Sequence, residues 1–358
     1  MKIAILGDTH FGARGDSLEF HRYFQKFYDD VFFPHLIENK IDTVIQLGDL
    51  FDRRKFINFN SLYLSRKYFF DKCERLGIRL HVLIGNHDVA YKNTLEVNSP
   101  ALLLNEYHNI EIYEDFDTVE FDGVNIDIVP WICDENETEI FQKIKESKSQ
   151  ICLGHFEIDG FEMDKGNVHQ GGLDRKKLSK YDIVLSGHFH HKSSADNITY
   201  VGTPYEMTWA DYNDPRGFHI FDTETRNLEF IKNPNKMFYK LNYKDDLENF
   251  AEGYTSSFMD YSIYKDSYVK VIVLTKQNSF LFDIVIDKIY KSGACDISIV
   301  EDFSETLVED DDIIDQAEDT MTILSKYIDN LQLQVESDKL KNIMRELYVE
   351  ALNVEKVE

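Results

Sequence analysis

Five short apolar runs in the first 190 residues each lead into a glycine followed by residue types that bind metal. "KIAIL" leads to "GDTH" (7–10), "DTVIQL" to "GDLFD" (48–52) and "HVLI" to "GNHD" (85–88); "QICL" leads to "GHFE" (154–157) and "DIVLS" to "GHFHH" (187–191). Apolar runs of this length, bounded by turn residues, read as buried strands. In an open α/β sheet, groups beyond the carboxyl ends of neighbouring strands converge in one crevice. Each glycine is expected there because it lets the backbone turn sharply. The crevice would collect Asp8, His10, Asp49, Asn86, His155, His188 and His190, a mixed nitrogen and oxygen set sufficient for two metal ions. Any one motif has an ordinary explanation, since Asp after a strand is often a helix cap and a lone His is usually no ligand. Five in succession are hard to explain as independent accidents. His188 and His190 lie two apart, so both can face the crevice while Phe189 packs away. His191 reads as a solvated or hydrogen-bonding residue.

At 358 residues the chain suggests about two domains. Up to about residue 230, apolar runs alternate with helical stretches, "FHRYFQKFYDDVFFPHLIEN" and "LYLSRKYFFDKCERLG" among them, which indicates an α/β region. "GFHIFDT" and "NLEFIKN" read as a closing hairpin, and "NPNKM" (233–237) as a linker. Beyond it, "YVKVIVLT", a helix near 279–291 and "CDISIVE" form a compact β-α-β pattern. Residues 301–319 hold ten acidic residues and no basic one, the pattern of a solvated linker. Two amphipathic helices are expected near 313–333 and 337–353. The segments are therefore 1–234, 235–300 and 301–358.

The net charge of −26 opposes nucleic-acid binding, which needs cationic surface. Residues 1–235 hold 39 acidic against 26 basic side chains and residues 236–358 hold 26 against 13, so each part stands at −13. Carboxylates that ligate cations would not count as free anions, which lightens the first part. Arg53, Arg54 and Lys55, beside Asp49, are the local basic candidates for DNA, although solvated loop residues would look the same. Cys73, Cys133, Cys152 and Cys295 have no paired spacing and read as reduced buried thiols. No apolar segment approaches a membrane span and no secretory leader is apparent, so an intracellular, cytoplasmic protein is expected.

With these motifs in place, the sequence resembles the calcineurin-like metallophosphoesterases, whose pattern is DxH, GDxxD, GNH(D/E), H and GHxH. The resemblance covers residues 7–190. The overall layout is similar to the SbcD-type nuclease subunits of double-strand-break repair complexes, and "GHFEIDGFEMDKG" with "GHFHHKS" is nearest to the branch encoded by tailed phages, the recombination endonuclease subunit. Asp52 departs from a related branch that often carries His there. The resemblance implies a β-sandwich flanked by helices, then a small α+β capping domain that binds DNA, then C-terminal helices that grip an SbcC-type coiled-coil ATPase. It implies two Mn2+ ions, with Mg2+ as a substitute. Asp8, His10, Asp49 and His190 would hold one; Asp49, Asn86, His155 and His188 the other. His87 would contact the scissile phosphate and protonate the leaving oxygen, with Asp88 orienting its ring. The implied activity is exonuclease and single-strand endonuclease cleavage of DNA, in host cytoplasm if the chain is phage-encoded. A phosphoesterase for nucleotides or other small phosphoesters is the alternative, and a non-catalytic scaffold is a third reading that the intact ligand set opposes. The family's self-association suggests a homodimer through the helix near 60–76, with Leu62, Leu64 and Phe69, and through "SPALLLNEY" (99–107); intramolecular core is an equal alternative for these residues.

Overall fold

The computed structural model describes residues 1–164, 167–245 and 260–301. Two six-stranded sheets carry the first 232 residues. One runs in the order Leu228–Lys232, Gly217–Asp222, Lys2–Leu6, Thr43–Gln46, Arg79–Leu83, Ile110–Tyr113. The other runs Ser193–Ala195, Ile198–Tyr200, Ile183–Gly187, Ile151–His155, Val124–Val129, Asp117–Phe121. Their inner faces close on one core, with Ile3, Ile5, Ile45 and Leu47 from the first sheet packed with Ile126, Ile128, Leu153 and Leu185 from the second. The strands that end in the five motifs are all in parallel pairs. Buried on both faces, they read as continuous apolar runs. The anticipated sandwich is therefore present, and it corrects the picture of a single open sheet. Three motif strands belong to one sheet and two to the other, so the crevice straddles both.

Helices cover the first sheet through an aromatic layer, including Phe24 stacked on Tyr205 at 3.8 Å and Tyr28 against Phe69 at 4.7 Å between ring centres. The two long helical patterns are each interrupted. A π-helical turn at Tyr28–Phe32 separates Leu18–Phe27 from Phe33–Asn39, and another at Arg66–Phe70 separates Phe59–Ser65 from Asp71–Arg75. A π turn adds a residue and re-phases the helix; here both turns carry fully buried rings that meet between the helices. Phe69 is thus core, which removes it from the residues available for self-association.

Residues 238–245 and 260–301 form a second, smaller assembly. Phe238–Lys244, Tyr268–Thr275 and Asp296–Glu301 pair in parallel, and Ser279–Lys291 lies over one face, packing Phe282, Val285 and Ile289 on Val269, Val271 and Val273. The Phe238–Lys244 strand is an addition to the expected β-α-β pattern. Nor is 233–237 a loose linker. Asn233 donates through Nδ2 to the Pro204 carbonyl at 3.1 Å, Met237 is fully buried, and the Glu206 carboxylate accepts from the amides of Met237 at 2.7 Å and Phe238 at 3.0 Å. Residues 1–207 and 211–301 accordingly make one compact unit. The two expected tail helices and the acidic run after Glu301 lie outside the described residues. No described helix is long and apolar enough to cross a membrane.

Candidate metal centre and active site

The motif residues gather in two groups of potential ligand atoms, Asp8 with His10 and His190, and Asp49 with His155 and His188. Asp49 lies between them. Its Oδ2 is 3.5 Å from Nε2 of His155 and 3.8 Å from Nε2 of His10, while its Oδ1 accepts from the His87 amide at 2.7 Å. Asn86 Oδ1 sits 2.9 Å from His155 Nε2 and 2.8 Å from His188 Nδ1. On the other side, Nε2 of His10 faces Nε2 of His190 at 3.1 Å. All seven expected ligand candidates are brought together.

The loops that do this are strained and tightly packed. His10, Asp49 and His188 have φ of 42°, 54° and 88°, a left-handed backbone that costs a non-glycine residue about 1–2 kcal/mol and clusters at functional sites. Of the five motif glycines, only Gly48 needs positive φ, at 95°. The others answer to space: a Cβ on Gly85 would lie 2.2 Å from the Asp49 nitrogen, and one on Gly187 would lie 2.6 Å from Asp8 Oδ1. The expectation that the glycines serve sharp turning is corrected accordingly.

The electrostatics fit a cation. His155 Nδ1 is 2.7 Å from the Leu47 carbonyl, so the ring donates there. Its Nε2 faces Asn86 Oδ1 and Asp49 Oδ2, two acceptors that a proton on Nε2 satisfies in the metal-free chain and that a divalent cation would satisfy in its place. That is the arrangement of a metal ligand whose far nitrogen is anchored on a carbonyl. Burial would lower His155, but Asp49 and Asp8 raise it to about 9. Asp8 is raised to about 8 by burial and by Asp49 and Asp88, against His155. Burial opposes ionisation of Asp49, yet His155, His87 and His10 hold it well below the usual carboxylate range. Burial brings His188 down to about 3 and His190 to about 4 and lowers His10 strongly, leaving neutral imidazoles with lone pairs available. The donor set therefore suits divalent ions.

Around this centre, His87 is half-buried and its Nδ1 donates to the Asp52 carbonyl at 2.7 Å, which leaves Nε2 as its remaining polar atom. Asp88 does not orient that ring. Its carboxylate accepts from the amides of Gly85, Leu50 and Phe51 at 2.9–3.2 Å, stapling the "GNHD" loop to the "GDLFD" loop. The orienting contact expected of Asp88 belongs to the Asp52 backbone. Of the basic candidates, Arg53 pairs with Asp16 at 3.6 Å and lies over Phe56, Arg54 is half-buried and Lys55 exposed. His191 bonds through Nδ1 to Asp214 at 2.8 Å, as its non-ligand reading requires.

Two features were missed. Arg216, buried, donates to the His190 carbonyl and to Thr203 Oγ1, and pairs with Asp211 at 2.6 Å and Asp214 at 2.8 Å, fixing the backbone of one ligand candidate. Trp131 stands beside the second group, its ring centre 5.3 Å from His188 and 5.9 Å from His155. "PRG" and "PW" carry no motif signal, and only the folded chain brings them to the crevice.

Comparison with known proteins matches residues 1–192 to the model of the calcineurin-like phosphoesterases. The chain is 36% identical to exonuclease subunit 1 of Enterobacteria phage T4 over 354 residues, covering 98% of this chain and 99% of that one. It is 22% identical to the SbcD component of the nuclease SbcCD from Staphylococcus epidermidis, over 96% and 98% of the two chains. Over 53% of its length it is 30% identical to the DNA double-strand break repair protein Mre11 of Sulfurisphaera tokodaii, 49% of which is covered. A convergent, acceptor-rich crevice on a two-sheet scaffold and a family match over more than half its length place the chain in the calcineurin-like phosphoesterase family.

Proposed function

We propose that this chain is a metal-dependent DNA nuclease, the cleaving subunit of a complex that processes DNA ends. The observation that carries the reading is the convergence of two ligand groups on Asp49, in a chain that aligns end to end with a phage exonuclease subunit. Asp8, His10, Asp49 and His190 would hold one divalent ion, and Asp49, Asn86, His155 and His188 the other. Two Mn2+ ions are proposed, with Mg2+ as substitute. When bound, such a pair supplies Lewis-acid polarisation of the phosphoryl group and a more acidic attacking water.

The chain's own residues then have distinct tasks. Asp49 holds the two halves of the centre in register, because one oxygen is fixed by the His87 amide while the other faces both groups. His87, with Nδ1 committed to the Asp52 carbonyl, can present a proton on Nε2 to the leaving oxygen. Asp88 holds the two loops together and so fixes where His87 stands. Arg53, Arg54 and Lys55 are proposed to meet the DNA backbone at the rim, and the 235–300 segment to add further DNA contacts.

The partner is proposed to be an SbcC-type coiled-coil ATPase held by the C-terminal helices, in the cytoplasm. Self-association is proposed through the Phe59–Ser65 and Ser99–Leu104 helices, which are joined by the Arg66 bond to the Leu103 carbonyl and expose Phe59 (89%) and Leu102 (70%). The test of function is purified protein with Mn2+ on linear duplex DNA, single-stranded DNA and a chromogenic phosphodiester. Metal-dependent DNA cleavage supports the reading; turnover of the small ester with no DNA cleavage would overturn it. Deleting residues 305–358 should spare single-strand cleavage and abolish ATP-stimulated processing of duplex ends. Undiminished co-purification of the truncated chain with the ATPase would refute the tail assignment.

A further inference from the structure

We infer that Trp131 is a stacking platform for an unpaired nucleobase next to the scissile phosphate, so that the site selects locally single-stranded DNA. The inference rests on the nuclease reading above and names the part of the substrate that the crevice reads.

Trp131 follows Pro130, just past the Val124–Val129 strand, and its backbone is fixed at both ends. Its amide donates to the Ile84 carbonyl at 2.8 Å, and its carbonyl accepts from Asn136 Nδ2 at 3.0 Å. The side chain packs against the small cluster of Ile84, Val89, Leu95 and Cys133. It is nonetheless only half-buried. Here a rigid ring, 5.3 Å from His188 and tilted 38° to it, stands at the wall of an otherwise polar crevice.

A phosphate held between the two ligand groups carries a nucleoside on either side. A base in a duplex is stacked on its neighbours and paired, so it cannot turn onto an indole without losing both. An unpaired base gains a π-face at little cost, and such stacks tolerate any base because each has one. The polar groups of the crevice read phosphate; Trp131 reads the exposed base.

The chain has two tryptophans, so Trp209→Phe makes Trp131 its sole indole emitter. With Ca2+ in place of a turnover metal, titration with an oligothymidylate should quench that emission saturably, and an abasic strand of equal length should not. In parallel, kcat/KM with Mn2+ is compared on ordinary and abasic single strands. The native chain should prefer the ordinary strand by roughly ten- to a hundredfold, the worth of one base–aromatic stack. Trp131→Ala should bring that ratio close to one at unchanged metal content, and Trp131→Phe should restore most of it. Emission blind to the oligothymidylate, or a Trp131→Ala ratio equal to that of the native chain, would overturn the inference and reduce Trp131 to a wall behind His188. Failure of the native chain to cut any strand would instead strike the nuclease reading, while the quenching arm would still decide whether a base meets Trp131.

Discussion

The crevice and the three-stranded assembly at 238–245 and 260–301 are built to opposite rules. In the crevice, buried atoms are fixed one by one: three ligand candidates hold left-handed backbone, and glycines stand where a single Cβ would collide with Asp49 or Asp8. In the smaller assembly, Tyr268–Thr275 alternates buried with half-exposed or exposed residues, a single helix covers one face, and Phe280 is 72% exposed. The first demands exact atoms at exact places; the second demands only an apolar side. Substitution should therefore be all-or-nothing in one region and gradual in the other.

The sharpest way to break that contrast is Asp49→Ala. Loss of the residue shared by both groups should lower DNA cleavage at least about a thousandfold, since the ions supply several kcal/mol of charge stabilisation. Metal content, measured on the same sample, should fall with it. His87→Ala comes next, with metal retained and turnover down about 10²–10⁴-fold, the range of a lost proton donor. Full activity in that variant would remove His87 from the mechanism. Arg216→Met leaves Asp211 and Asp214 buried without their guanidinium, and should cost about 3–5 kcal/mol in denaturant unfolding. Its metal affinity should also drop, because the His190 carbonyl keeps only the Thr203 amide of its two donors.

Smaller effects are expected at and beyond the join. Glu206 is raised to about 7, by burial first, against its two amide bonds to Met237 and Phe238. A carboxyl with a raised folded pKa contributes stability that is complete below its unfolded value near 4.5 and is lost as pH rises through about 7. Glu206→Gln should flatten the fall in stability between those limits; an unchanged pH profile would deny Glu206 that role. Phe280→Ser, on the exposed helix face, should shift stability by no more than about 0.5 kcal/mol and leave cleavage unaltered. A large loss of either would mean that the two regions are not so different.

The same contrast explains what was legible in the sequence. The convergence of Asp8, His10, Asp49, Asn86, His155, His188 and His190 was legible because each stands at or just past a strand end, and strand burial makes the preceding runs apolar. The role first given to Asp88 was not, because a carboxylate that staples two loops and one that orients an imidazole look alike in "GNHD". The division of the motifs between two sheets was hidden too, since parallel strands in either sheet have the same apolar pattern. Arg216 and Trp131 reach the crevice through tertiary folding alone, and the π turns at Tyr28–Phe32 and Arg66–Phe70 lie inside runs whose periodicity reads as unbroken helix.

The central claim is that Asp49 joins two metal positions into one cleaving centre. It is tested most directly by titrating the metal-free chain with Mn2+ while following bound metal and single-strand cleavage together. The expected result is two ions per chain, cleavage that appears only as the second site fills, and loss of both with Asp49→Ala. Full cleavage with one ion bound, or with none, would contradict it.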